Sequence, residues 1–164
     1  MIVKRVTPGP GQESVWDYPR PPRLEDSVRH IQVVFNGVVI ADTQQAKRVL
    51  ETSHPPVYYI PPADIELAYL SPTAHSTWCE WKGQGGYYTV TVADKQARNA
   101  AWFYADPTPA FIPIKNYVAF YPSKMEACFV DGEPVQAQAG DFYGGWITSE
   151  IVGPFKGEPG TWGW

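Results

Sequence analysis

The chain has 164 residues, 44% of them hydrophobic and 18% charged, with a formal net charge of −4. A chain of this length fits one domain that buries roughly 70% of its unfolded surface without a disulfide or metal staple, and the composition excludes wholesale disorder. No basic run provides an electrostatic footprint for nucleic acid, and no apolar run approaches the roughly 18 residues of a membrane span, so neither is expected as a partner.

Pro and Gly together make up 31 residues, which predicts short elements and rigid turns in place of long helices. The N-terminal stretch has no apolar core of signal-peptide length. Residues 1–29, with P-G-P-G-Q-E-S-V-W-D-Y-P-R-P-P-R, read as an extended arm that Trp16 and Tyr18 pin to the body. The remainder, 30–164, reads as one β domain. Asn36-Gly37 lies between two β-branched runs in I-Q-V-V-F-N-G-V-V-I-A-D, the cue for a hairpin whose two turn residues both need positive φ. Thr43 then resembles an N-cap for a short helix from Gln44 to Glu51, with Ala46, Val49 and Leu50 as its apolar stripe. A strand is predicted at 57–60, cut by Pro61-Pro62, and one or two helical turns at 64–70. Residues 77–82 and 87–93 read as a second hairpin turning around Gly83, Gly85 and Gly86. Further strands are predicted at 97–104, 117–121 and 125–130, with a turn at Asp131-Gly132. The tail from Pro134 to Trp164 holds Phe142, Tyr143, Trp146, Phe155, Trp162 and Trp164, aromatic enough to wrap onto the body. Cys79 and Cys128 are the only cysteines, and free thiols in a reducing cytoplasm are the expectation.

The string T-W-C-E-W-K-G followed by Y-Y, together with A-W-F-Y-A-D-P, Y-V-A-F-Y, V-D-G-E and F-Y-G-G-W-I-T-S-E-I-V-G-P-F-K-G-E-P-G-T, resembles the domain-of-unknown-function family numbered 427, over about residues 30–164. The resemblance implies a mainly β, small antiparallel fold similar to the β-tent proteins, with one or two short helices and an extended C-terminal tail. Those proteins include thiol-dependent methionine sulfoxide reductases, zinc-bearing domains and aromatic-cage binding domains. The paired C-x-x-C zinc ligands of many such relatives are missing here, and His30, His54 and His75 have no metal spacing, so no metal or other cofactor is expected. A nucleotidyltransferase activity also associated with the family finds no G-S dipeptide ahead of a D-x-D pair, and Asp131-Gly132-Glu133 is better explained as a turn.

The candidate site is the stretch from His75 to Tyr88. On a regular strand Trp78, Glu80 and Lys82 share one face, and Thr77, Cys79 and Trp81 the other. Glu80 and Lys82 then form either a solvated ion pair or the charged lip of a cleft. Trp78, Tyr88, Trp102 and Tyr104 form the set that lines an aromatic groove, with polar tips suited to a small molecule or a modified residue. A second reading is an enzyme in which His75 or Glu80 moves a proton or Cys79 acts as nucleophile. A buried structural Cys and a hydrogen-bonded loop His are the plainer alternatives. A third reading is an interaction module that uses the Pro-rich arm and the aromatic tail.

Overall fold

A computed structural model describes residues 3–140 and 142–164. Within these residues the structure is mainly β, and helical geometry is confined to short 3-10 turns, the longest being Pro109–Ile114. Three antiparallel sheets make the body. The largest orders its strands Val118–Phe120, Lys95–Phe103, Gly83–Val92 and Leu70–Cys79. A second orders Glu133–Pro134, Ala127–Val130, Ile31–Phe35 and Val38–Thr43. The third orders Arg23–Asp26, Lys47–Leu50 and Val57–Tyr59. Both two-residue turn predictions hold. Asn36 and Gly37 have φ of 47° and 77°, Asp131 and Gly132 φ of 49° and 81°, the doubly left-handed geometry a tight hairpin demands. Pro62–Asp64 and Leu67–Tyr69 supply the helical turns expected near 64–70.

The helix predicted from Gln44 to Glu51 is instead the strand Lys47–Leu50. The local signal was real, because Thr43 Oγ1 accepts a hydrogen bond from the Gln45 amide at 2.9 Å. The chain then meets two neighbours, Arg23–Asp26 on one side and Val57–Tyr59 on the other. Ladder bonds on both sides outweigh a weak helical preference.

The largest sheet is covered on both faces, which explains why its strands carry aromatics on alternate and on consecutive positions. One face packs Val90, Ala101, Val118 and Phe120 against Ile31, Val33, Phe35 and Ile40 of the second sheet. The other packs Tyr87, Trp102, Tyr104 and Ala119 against Val49 and Tyr59 of the third. A smaller cluster of Val15, Tyr18, Leu50 and Ile151 ties the N-terminal arm to the C-terminal tail. There Glu13–Ser14 pairs in parallel with Ile151–Val152. The tail wraps as expected, led by Trp146, which is fully buried in the first core and donates from Nε1 to the Phe120 carbonyl at 3.2 Å. Phe142 and Trp162 are the exceptions, 67% and 87% exposed.

Candidate functional site: an aromatic cleft at the hairpin tip

The central hairpin pairs from Leu70 opposite Val90 to Cys79 opposite Gly83. Its turn is therefore Glu80-Trp81-Lys82, and the predicted strand 77–82 ends at Cys79. The glycines assigned to the turn lie inside the second strand, where they make room for neighbours. A Cβ on Gly83, whose φ is 104°, would sit 3.5–3.8 Å from the backbone of Asp106 to Thr108. A Cβ on Gly86 would stand 2.7 Å from the Phe103 ring. The close approach at Gly83 lets Thr108 clamp the turn. Its Oγ1 donates to the Trp81 carbonyl at 2.6 Å and its amide to the Lys82 carbonyl at 3.0 Å. The main chain of the turn is thereby held in place, which a preorganised site requires.

This turn forms one wall of a cleft of about 350 Å³, within the size range of small-ligand sites. Trp78, Cys79, Glu80, Trp81 and Lys82 line that wall. Tyr59, Trp102, Tyr104 and Tyr121 form the floor, and Glu51, His54, Tyr143, Gly144 and Lys156 the opposite side. The floor is a bonded aromatic layer. Trp102 Nε1 donates to the Tyr59 hydroxyl at 3.3 Å, and the Trp102 ring lies 4.5 Å from Tyr121 and 6.2 Å from Tyr59. Burial pushes the phenols of Tyr59, Tyr104 and Tyr121 well above their ordinary range, so all three stay protonated at neutral pH. At the mouth, Trp78 is 73% and Phe142 67% exposed, and both border the same hollow.

Trp78, Cys79, Glu80, Lys82, Trp102 and Tyr104 thus converge on one cavity. Because 80–82 is a turn, Cys79 and Lys82 are not separated onto opposite faces as strict alternation required. No ion pair or hydrogen bond joins Glu80 to Lys82 among the described residues. The Lys82 ammonium instead lies 5.9 Å from the ring centroids of both Tyr104 and Phe111. Two predicted residues lie elsewhere. Tyr88 projects to the opposite face of the sheet from Tyr87, stacks on Phe103 at 4.6 Å and packs against the first core. His75 is not in a loop but within the strand Leu70–Cys79, at its irregular stretch, exposed and with its ring tilted 51° against Tyr87 at 4.5 Å. Trp102, predicted as a wall, is only 8% exposed and belongs to the core as much as to the cleft.

Among the lining residues that sequence reasoning missed are Glu51, Tyr59, Tyr143, Lys156 and His54, and His54 is the one that titrates nearest neutrality. Its Nδ1 lies 2.9 Å from the Thr52 carbonyl, which can only accept, so the neutral ring carries its proton there. Glu51 approaches the same nitrogen at 3.9 Å and is itself held by Arg20 at 3.2 Å. Burial nevertheless lowers the His54 pKa below its usual value, leaving the imidazole neutral. No spacing in the sequence linked His54 to the hairpin; only the fold brings them together. Cys128 lies in the first core, apart from this site, and among the described residues no three His, Cys, Asp or Glu side chains group as metal ligands.

Gly144 seals the cleft against the floor, because a Cβ there would stand 2.3 Å from the Trp102 ring. Gly144→Ala is therefore expected to lower stability by about 1–3 kcal/mol through overpacking. Chemical denaturation checks it, and a midpoint equal to that of the wild type would refute the contact.

No curated protein matches the chain. A family model described as "Domain of unknown function (DUF427)" matches residues 23–131. That stretch holds the hairpin and the floor of the cleft. Tyr143, Gly144 and Lys156 on the opposite side lie beyond it.

Proposed function

The chain belongs to the DUF427 family of unknown function, and from that premise we propose that it binds a small molecule, or a small modified side chain, in the aromatic cleft. The observation that carries this reading is the convergence of three cleft tryptophans and a fixed charged turn on one cavity of about 350 Å³. Apolar walls with a few placed polar groups provide affinity from burial and orientation from charge. Lys82 and Glu80 supply the charged contacts, Trp78 and Phe142 the lips, and Trp102 and Tyr104 the floor. Binding is favoured over thiol chemistry because Cys79 has no hydrogen-bond partner among the described residues, and a nucleophilic thiol needs a base or cation beside it.

The seven tryptophans are a built-in reporter. Trp78, Trp81 and Trp102 line the cleft, whereas Trp16, Trp146, Trp162 and Trp164 do not. Titration of indole, quinoline and 2-naphthol, followed in ¹H–¹⁵N spectra, is expected to shift the first three indole N–H signals and leave the others in place. Trp78→Ala should keep the fold, since the side chain is 73% exposed, and weaken binding about fivefold by removing one stacking face. Shifts confined to Trp162 and Trp164, or to none, would remove the reading.

A further inference from the structure

We infer that the ligand of this cleft carries an anionic group, received by Lys82 and Lys156; the inference rests on the binding reading above. Both lysines line the cavity, and neither makes an ion pair among the described residues. Each ammonium lies over aromatic carbon instead, Lys82 at 5.9 Å from Tyr104 and Phe111, Lys156 at 5.8 Å from Tyr143. The Lys156 charge is close enough to His54 to oppose protonation of that imidazole.

The carboxylates do not balance this charge. Glu51 is already engaged by Arg20 at 3.2 Å. Glu80 sits on the exposed turn and makes no ion pair among the described residues. Among the described residues the lining therefore carries two ammonium groups without an ion-pair partner against the single unpaired carboxylate of Glu80, an excess of one positive charge. Concave walls of low polarity concentrate such a field and strengthen it relative to open solvent.

The two cations are also fixed at their backbones. The Lys82 carbonyl accepts from the Thr108 amide at 3.0 Å. The Lys156 amide donates to Ser53 at 2.9 Å, and its carbonyl accepts from Gln138 Nε2 at 2.7 Å. An incoming anion meets donors whose main-chain positions are already ordered, which limits the entropy lost on binding.

A cationic guest is disfavoured on the same geometry. The ring faces of Tyr104, Phe111 and Tyr143 already hold ammonium groups, and a third positive charge would meet repulsion from both lysines. A flat body at the Trp78 and Phe142 lips with a carboxylate or phosphate directed inward would enter a cleft that has a lysine on either side.

The test uses one ring system with four head groups: 2-naphthoate, 2-naphthyl phosphate, 2-naphthylmethanol and 2-naphthylmethylammonium. Calorimetry or the indole N–H shifts of Trp78, Trp81 and Trp102 give the affinities. Naphthoate or naphthyl phosphate is expected to bind about tenfold tighter than the alcohol, with the ammonium weakest, and the advantage should shrink as salt is added. The preferred anion identifies the head group. Lys82→Met and Lys156→Met should each reduce anion affinity about threefold or more, and by clearly more than they change affinity for the alcohol. An unshifted Trp146 indole signal verifies that each variant is folded. Alcohol binding as tightly as both anions, or ammonium binding tightest, overturns the anionic assignment and leaves the cleft a binding site. Absence of cleft shifts with all four compounds removes both.

Discussion

Trp146→Ala is expected to lower the stability of this protein by about 3–5 kcal/mol. The side chain is fully buried, its ring lies 5.2 Å from Tyr58, and Nε1 donates to the Phe120 carbonyl. Truncation leaves a cavity the size of an indole and an orphaned carbonyl, and an unmet buried acceptor alone costs about 1–3 kcal/mol. Against a total stability of roughly 5–15 kcal/mol this is a large fraction. The loss should extend to the cleft. Trp146 anchors the tail segment that presents Tyr143 and Gly144, and its own amide donates to the Pro56 carbonyl at 2.8 Å. Urea denaturation measures the stability, and the indole signals of Trp78 and Trp102 report the site. A change below about 1 kcal/mol would mean that the tail does not hold the core as described.

Alkylation of the folded protein with iodoacetamide at pH 8 should modify Cys79 at least about a hundredfold faster than Cys128. Cys128 is 2% exposed, and burial pushes its thiol pKa up to about 12. Only on the order of one molecule in ten thousand would carry the Cys128 thiolate at that pH, and the surrounding core blocks access to it. Cys79 borders the cleft. Unfolding in guanidinium should make the two rates comparable; equal fast labelling in the native state would contradict the burial of Cys128, and equal slow labelling the access to Cys79 through the cleft. Faster labelling of Cys79 does not by itself mark a catalytic thiol, because the buried partner sets the ratio. The informative comparison is with a small free thiol: a Cys79 rate above that reference would revive the nucleophile reading.

What could be read from residues alone was whatever depends on local backbone constraint. Asn36-Gly37 and Asp131-Gly132 were legible because few residue pairs tolerate two consecutive positive φ values. Gly83, Gly85 and Gly86 misled because glycine serves two ends. Here it admits the Phe103 ring and the backbone near Asp106 and does not reverse the chain. Thr43 misled because its hydroxyl makes the short-range bond of a helix start while the chain continues into a sheet. The reactive cluster around Trp78 to Lys82 was visible as composition. Tyr88 was placed on the wrong face because a sheet packed on both sides gives no polar alternation to read. His54 and Lys156 were invisible as site residues, since their roles depend on contacts across most of the chain.

The walls of the cleft come from residues 49–59, 77–121 and 138–156, and the arm at Glu13–Ser14 pairs with Ile151–Val152 while Glu13 is also held by Arg48 at 2.6 Å. On a ribosome, the hairpin and Trp102 emerge before the segment around Gly144 that packs on the Trp102 ring. A nascent chain therefore carries an uncapped aromatic surface until residues 138–156 have been translated, the kind of surface that recruits chaperones or self-associates. A chain truncated just before Ile151 would lack Lys156 from the cleft lining and would strip Val15 and Leu50 of their Ile151 cover.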